Sequence, residues 1–285
     1  MTAGTKVEPL DRAPYGSHAP NWLWKWRLSQ RDRGQLPSSD AQKKDPLRKK
    51  LRRKKPVFDL DYQDVLLRLY PAENLCDLKI VLYGAHPVNE ELDRVGEVLG
   101  QASVFVDIGA NVGLYSLMAR KRMSQTARVI SFEPDPRTVR KLRQNLDFNQ
   151  AANVTVINGA VGAEEGCLPL FTASLHNVGR NTLMRGLAGS KNATGISVPV
   201  RPLTTYLAEE GVGHIDVMKI DVEGFEAEVL APFLEHAPDT LLPKYIMIEI
   251  VARANWKTDV IAMCHARGYQ TVYETSDDMH LQRPY

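Results

Sequence analysis

The 285-residue chain contains no run of about 18 apolar residues, which excludes a conventional membrane-spanning helix. Its opening, MTAGTKVEPLDRAPYGSHAP, has no apolar core behind a positive start and so predicts no secretory signal. Cysteine is scarce. Cys76, Cys167 and Cys264 are far apart, odd in number and outside any CxxC pattern, so reduced structural thiols in a cytoplasmic protein are expected. Asn192-Ala193-Thr194 fits a glycosylation sequon but means little without an export signal. No internal repeat is evident. What remains is the composition of an ordinary soluble chain, long enough for one sizeable α/β domain and an appendage.

A formal net charge of +2 conceals a strong asymmetry. Residues 1–56 carry 15 Lys/Arg and 5 Asp/Glu, a balance of +10; the rest carries 21 and 29, a balance of −8. The first segment is rich in Pro, Ser and charge and lacks sustained apolar periodicity, so a mobile basic tail, dispensable for the chemistry, is expected. Two features interrupt it. Trp22, Trp24 and Trp26 stand beside cations, and Lys43–Lys55 holds nine cations and one acid. Such a run is a solvated tail or a contact for RNA or an anionic membrane by counterion release.

From Val57 to the end, 57–285, apolar strands alternate with helical patterns, the signature of a mostly parallel sheet covered on both faces. Strands are expected at 103–108, 128–132, 154–157, 215–220, 245–250 and, as the last, 269–274. Helices are expected at 89–100, 112–122, 135–149 and 254–267. Between 162 and 207 the alternation breaks, and 166–172 and 196–202 are read as strands pairing around a long polar loop.

The sharpest motif is Asp107-Ile-Gly109-Ala-Asn111-Val-Gly113, at a strand end and a helix start. Glycines there let the backbone turn tightly beside a ligand, and the helix start offers free N–H groups. The spacing is not the GxGxxG of dinucleotide sites. An acid beside the turn suits a positively charged ligand such as an aminoacyl sulfonium, and Asn111 suits a zwitterionic end. Glu133, ending the next strand, is placed to accept both hydroxyls of a ribose, although an acid at a strand end also occurs as a cap. Asn158 and Ala160, in the turn Asn-Gly-Ala-Val-Gly, offer groups to an adenine edge or simply make a strand-to-turn transition.

Lys219-Ile-Asp221-Val-Glu223-Gly224-Phe-Glu226 ends a later strand, where open α/β sheets bind ligands. A carboxylate there can take a proton from a hydroxyl or help hold a divalent ion such as Mg2+, with Asp221 the candidate ligand. Equally, Asp221 could cap the helix that follows. Glu249, an acid at the end of the apolar strand Tyr-Ile-Met-Ile-Glu-Ile, costs free energy unless paired or used, so it too points to the site.

VFVDIGANVGLYSL, VISFEPDP, the NGAVG turn, KIDVEGFEAEVL and YIMIEI, in this order and spacing, resemble the FkbM-type methyltransferase family over residues 80–275. The resemblance implies a class I methyltransferase fold: a Rossmann-like, seven-stranded, mostly parallel sheet with helices on both faces. It implies S-adenosylmethionine as cofactor and a hydroxyl of a sugar, glycan or polyketide-like metabolite as acceptor. By position, Asp107, Gly109, Asn111 and Gly113 would hold the methionine end and Glu133 the ribose. Asp221 and Glu223 occupy the family's acidic motif, and with Glu249 are the catalytic candidates. Two rivals stand beside this reading. An RNA methyltransferase is suggested by the basic segment. Against it, Asp221-Val-Glu-Gly stands where base-amino methylation uses an Asn/Asp-Pro-Pro-aromatic turn, no Pro-Cys pair exists, and the body is acidic. A noncatalytic cofactor-binding protein would leave Asp221, Glu223 and Glu249 without a task.

Overall fold

The computed structural model describes residues 10–29, 44–84, 89–171, 181–184, 186 and 195–284. Most of the long loop after 172, with the sequon, lies outside them.

Two helices, α1 (Trp22–Ser29) and α2 (Pro46–Lys54), precede a hairpin of β1 (Phe58–Tyr62) and β2 (Val65–Leu69). Gln63 and Asp64 turn that hairpin with φ of 52° and 61°, the left-handed pair a two-residue loop demands. Helices α3 (Leu75–Tyr83) and α4 (Asn89–Leu99) lead into β3 (Val104–Ile108), α5 (Leu114–Arg122), β4 (Arg128–Phe132), α6 (Pro136–Phe148) and β5 (Val154–Ile157). A side sheet follows, of β6 (Ala160–Val161), β7 (Gly166–Phe171) and β8 (Gly195–Arg201). Alternation then resumes with α7 (Leu203–Glu209), β9 (Val217–Ile220), α8 (Glu226–His236), β10 (Tyr245–Glu249), α9 (Val260–Ala266), β11 (Gln270–Glu274) and β12 (Asp278–Gln282).

The central sheet has seven strands in the order β11-β12-β10-β9-β3-β4-β5. Its neighbours run parallel except at β12, which is antiparallel to both β10 and β11. This is the expected class I methyltransferase fold. Period-two alternation divides the core between its faces. Phe105, Val129, Val217 and Met247 point to the cluster under α3, α5 and α6. Val104, Val106, Ile130, Met218 and Ile246 point to the cluster under α7, α8 and α9. Each helix brings a matching stripe: on α6, Val139, Leu142 and Leu146 are buried, and Asp135 starts it by accepting the Arg137 N–H. The paired strands expected at 166–172 and 196–202 form, antiparallel, as β7 and β8.

Three expectations change. The helix expected from 254 begins only at Val260, because Asp259 caps it by accepting the Ala262 N–H, and Arg253–Asn255 make a separate short turn. The sheet does not end at β11: β12 returns between β11 and β10, its Asp278, Met279, His280 and Leu281 buried. The basic segment, over its described residues, is not detached. Arg68, fully buried, pairs with Asp59 at 2.7 Å and donates to the carbonyls of Ala13 and Pro14 at 2.7 and 2.9 Å. Asp59 in turn accepts the N–H groups of Gly16 and His18. A buried ion pair needs its remaining donors satisfied, and residues 11–18 supply the partners. Leu51 of α2 joins the core, and Trp24 of α1 packs edge-on to Phe58 at 5.2 Å.

Candidate functional site

The carboxyl ends of β3, β4 and β9 open into a cleft of about 650 Å³, counting its mouth. Gly109, Asn111, Glu133, Ala160, Asp221 and Glu223 stand on its wall, so the structure gathers six of the residues singled out from sequence. Gly109 turns at φ 83°, and a Cβ there would lie 1.8 Å from the Asp221 carbonyl oxygen; only glycine lets the turn pass the end of β9. Gly113 does not reach the wall. It begins α5 at φ 94°, where a Cβ would strike Leu142 at 2.3 Å.

Asn111, left-handed at φ 52°, gives its N–H to Glu133 Oε2 at 3.0 Å. Its side-chain oxygen accepts from Asn74 Nδ2 at 2.9 Å. Asn74 is the N-cap of α3, holding the Cys76 and Asp77 N–H groups. That brings the α3 start to the cleft, where burial, with Asp221 adding, pushes the Cys76 thiol up to about 12. The other Glu133 oxygen accepts the Asp135 N–H at 2.9 Å. Burial raises this carboxyl to about 8. Asn158 does not line the cleft; exposed, it donates its Nδ2 to the carbonyls of Glu133 and Pro134 and so shapes the Glu133 turn. Asn181 enters from the loop after β7. Its Nδ2 donates to Asp135 at 2.7 Å, while its Oδ1 is buried on the cleft wall with no hydrogen-bond partner among the described residues.

Asp107 is withdrawn from the cleft. Fully buried, it stands in register with Ser131 on β4 and Lys219 on β9. It accepts from Ser116 at 2.5 Å, and Ser116 contacts Ser131 at 2.7 Å. Lys219 Nζ lies 3.4 Å from Asp107, 3.5 Å from Asp221 and 2.8 Å from the Gly109 carbonyl to which it donates. Burial alone would lower this ammonium; Asp221 and Asp107 more than offset that and raise its pKa.

Asp221 does not cap a helix, because α8 starts only at Glu226. The intervening turn holds Glu223 left-handed at φ 53° beside Gly224 at 99°. A non-glycine residue persists there only when over-determined. Glu226 does this: its Oε1 accepts the Val222 and Gly224 N–H groups at 3.1 and 2.8 Å, and its Oε2 the Trp256 indole at 3.2 Å. Glu249, off the cleft wall, closes the arrangement. One oxygen each from Asp221, Glu223 and Glu249 lies within 4.8 Å of the others. Burial, with Asp221 and Glu223 adding, holds the Glu249 carboxyl far above the usual range. Carboxylates this close can share a proton or a divalent cation.

Sequence reading missed Asn74 and Asn181 as site residues. Asn74 precedes the apolar run of α3 as an N-cap would, a readable signal. Nothing near Asn181 in sequence marks it.

The fold is that of the class I methyltransferases. Residues 107–271 match the Methyltransferase FkbM domain family, to which the chain belongs. Methyltransferase sdnD of Sordaria araneosa is 25% identical over 201 residues, covering 60% of this chain and 75% of that one. The 31-O-demethyl-FK506 methyltransferase FkbM of Streptomyces tacrolimicus is 29% identical over 206 residues, covering 64% and 78%. Among solved structures, Methyltransferase FkbM from Methylobacillus flagellatus aligns at a TM-score of 0.40 and 20% identity. That alignment takes in 64% of this chain but only 43% of that longer one. Among the described residues no helix is long and apolar enough to cross a membrane.

Proposed function

We propose that the protein is an S-adenosylmethionine-dependent O-methyltransferase of the cytoplasm, acting on a hydroxyl of a sugar, glycan or secondary metabolite. The observation that carries the reading is that Glu133 and the Asp221–Glu223 turn stand on one cleft wall. The residues suit the cofactor. Each Glu133 oxygen accepts one backbone N–H and keeps a lone pair for a ribose hydroxyl. The Asn181 Oδ1, without a hydrogen-bond partner among the described residues, suits an amino hydrogen of a purine edge. Asn111 and the Gly109 turn face the amino-acid end. When bound, the cofactor supplies an electrophilic methyl group.

The chain's own tasks are alignment and proton removal, because an alcohol does not ionise unaided near neutral pH. Asp221 Oδ2, 3.5 Å from Lys219, is the base that takes the acceptor's proton. Glu249 holds a proton through neutral pH and, with Glu223, orients Asp221 and the acceptor. The spacing of the three carboxylates favours a second version, in which they share an ion such as Mg2+ and the ion, rather than Asp221, acidifies the hydroxyl. The name of the Streptomyces relative, which specifies an O-demethyl substrate, agrees with a hydroxyl acceptor. An RNA acceptor is disfavoured by Asp221-Val-Glu-Gly at the end of β9 and by the acidic body.

S-adenosylhomocysteine is expected to raise the melting temperature of the purified protein, with NAD leaving it unchanged. A shift with NAD and none with S-adenosylhomocysteine overturns the reading.

A further inference from the structure

We propose that α1 and α2 form a docking surface for an anionic lipid bilayer. Trp24, on one side of α1, seats the helix against Phe58. Trp22 and Trp26, one turn apart on the opposite side, are 79% and 57% exposed, and Lys25 between them is exposed as well. A side chain that costs this much in water is ordinarily turned inward, and here two of the largest stand side by side. Indole rings favour the headgroup layer of a bilayer, where an apolar body and a polar N–H are both accommodated.

Helix α2 supplies the charge. Leu51 is buried and Leu47 partly so, which fixes the inward face. Lys49, Arg52, Arg53, Lys54 and Lys55 are exposed, and the helix carries no acid after its cap, Asp45. Both helices rest on α3, so the indoles and the cations border one element. Anionic headgroups attract such a cluster within a Debye length. The remainder of the chain, at −8, is repelled by the same surface, so the protein meets it by this end only. Lipid is favoured over RNA because the indoles protrude, whereas strand-binding aromatics floor a cationic groove.

The test uses the full chain in flotation with vesicles of phosphatidylcholine alone and of phosphatidylcholine with phosphatidylglycerol. Binding is expected to the anionic vesicles only, with a blue shift of tryptophan emission and a loss of roughly tenfold or more at high salt. The variants Trp22→Ser/Trp26→Ser and Lys49→Glu/Arg52→Glu/Arg53→Glu should each weaken binding by roughly tenfold or more. All the replaced side chains are exposed, so both should melt as the wild type does; the two sets fail independently if either helix is disturbed. Equal binding to both vesicle types, binding indifferent to both variants, or binding to an oligouridine with none to vesicles overturns the proposal.

Discussion

Lys219 donates to the Gly109 carbonyl across 2.8 Å, tying the end of β9 to the turn that leaves β3. The same ammonium is the countercharge within reach of buried Asp107. Replacing it by an apolar chain leaves an uncompensated carboxylate in the core. Lys219→Met should therefore destabilise the protein by about 3–5 kcal/mol in urea titration. Lys219→Met/Asp107→Asn should recover part of that loss. A double variant no better than the single would show that the pair is not coupled.

Cofactor affinity should respond to two wall residues unequally. Glu133→Ala removes two acceptors and is expected to weaken S-adenosylhomocysteine binding by roughly 10–100-fold in calorimetry. Asn181→Ala removes one neutral acceptor and should cost roughly 3–10-fold. Unchanged affinity in Asn181→Ala would mean its Oδ1 meets water.

Asp221→Asn keeps the shape of the side chain but cannot take a proton. Turnover should fall by ~10²-fold or more while cofactor affinity holds. A chelator then separates the two versions of the role, since only the ion-dependent one is silenced by EDTA and restored by magnesium. Near wild-type turnover in this variant would sink both.

Buried acids give the empty protein a defined pH response. Burial raises Asp77 to about 7, Glu133 to about 8 and Glu249 higher still. These pKa values lie above those of the unfolded chain, so the folded state binds more protons across the interval. Its stability must fall as pH rises through it. Thermal melts at pH 6 and 9 should show the drop, and Glu249→Gln should shrink it. An equal drop in that variant would remove Glu249 from the account.

A chain beginning at Val57 loses five hydrogen-bond partners of the Arg68–Asp59 pair and the buried Leu51. Its stability should fall by on the order of 3 kcal/mol or more, read as a lower urea midpoint. An unaltered midpoint would restore the dispensable tail that composition suggests.

The anchoring of residues 11–18 shows where sequence stops being informative. The inner parallel strands β3, β4, β9 and β10 are legible because each is a short, mainly apolar run closed by a glycine or an acid, and burial on both faces dictates that composition. Gly109, Asn111 and Glu133 stand out as candidates because a tight turn at a strand end needs particular residue types at fixed spacing. Residues 11–18 carry no such pattern: they matter through main-chain carbonyls and N–H groups, which every residue possesses. Asn181 is hidden for a related reason, since a side chain oriented by Asp135, 46 residues earlier, leaves no local signature. Asp107 misleads in the opposite sense. Its place in the motif suggests a ligand contact, yet the row Ser131–Asp107–Lys219 turns it inward.

The Asp107–Lys219 pairing also fixes what the cleft can release. With Lys219 drawn to Asp107, the ionisable side chains that line the cleft among the described residues, Glu133, Asp221 and Glu223, are all acids. An occupant that arrives positively charged and departs neutral loses an attraction worth about 1–4 kcal/mol per close carboxylate at intermediate dielectric. On the proposed reading the spent cofactor is therefore held less firmly than the fresh one, and product inhibition is built to be weak.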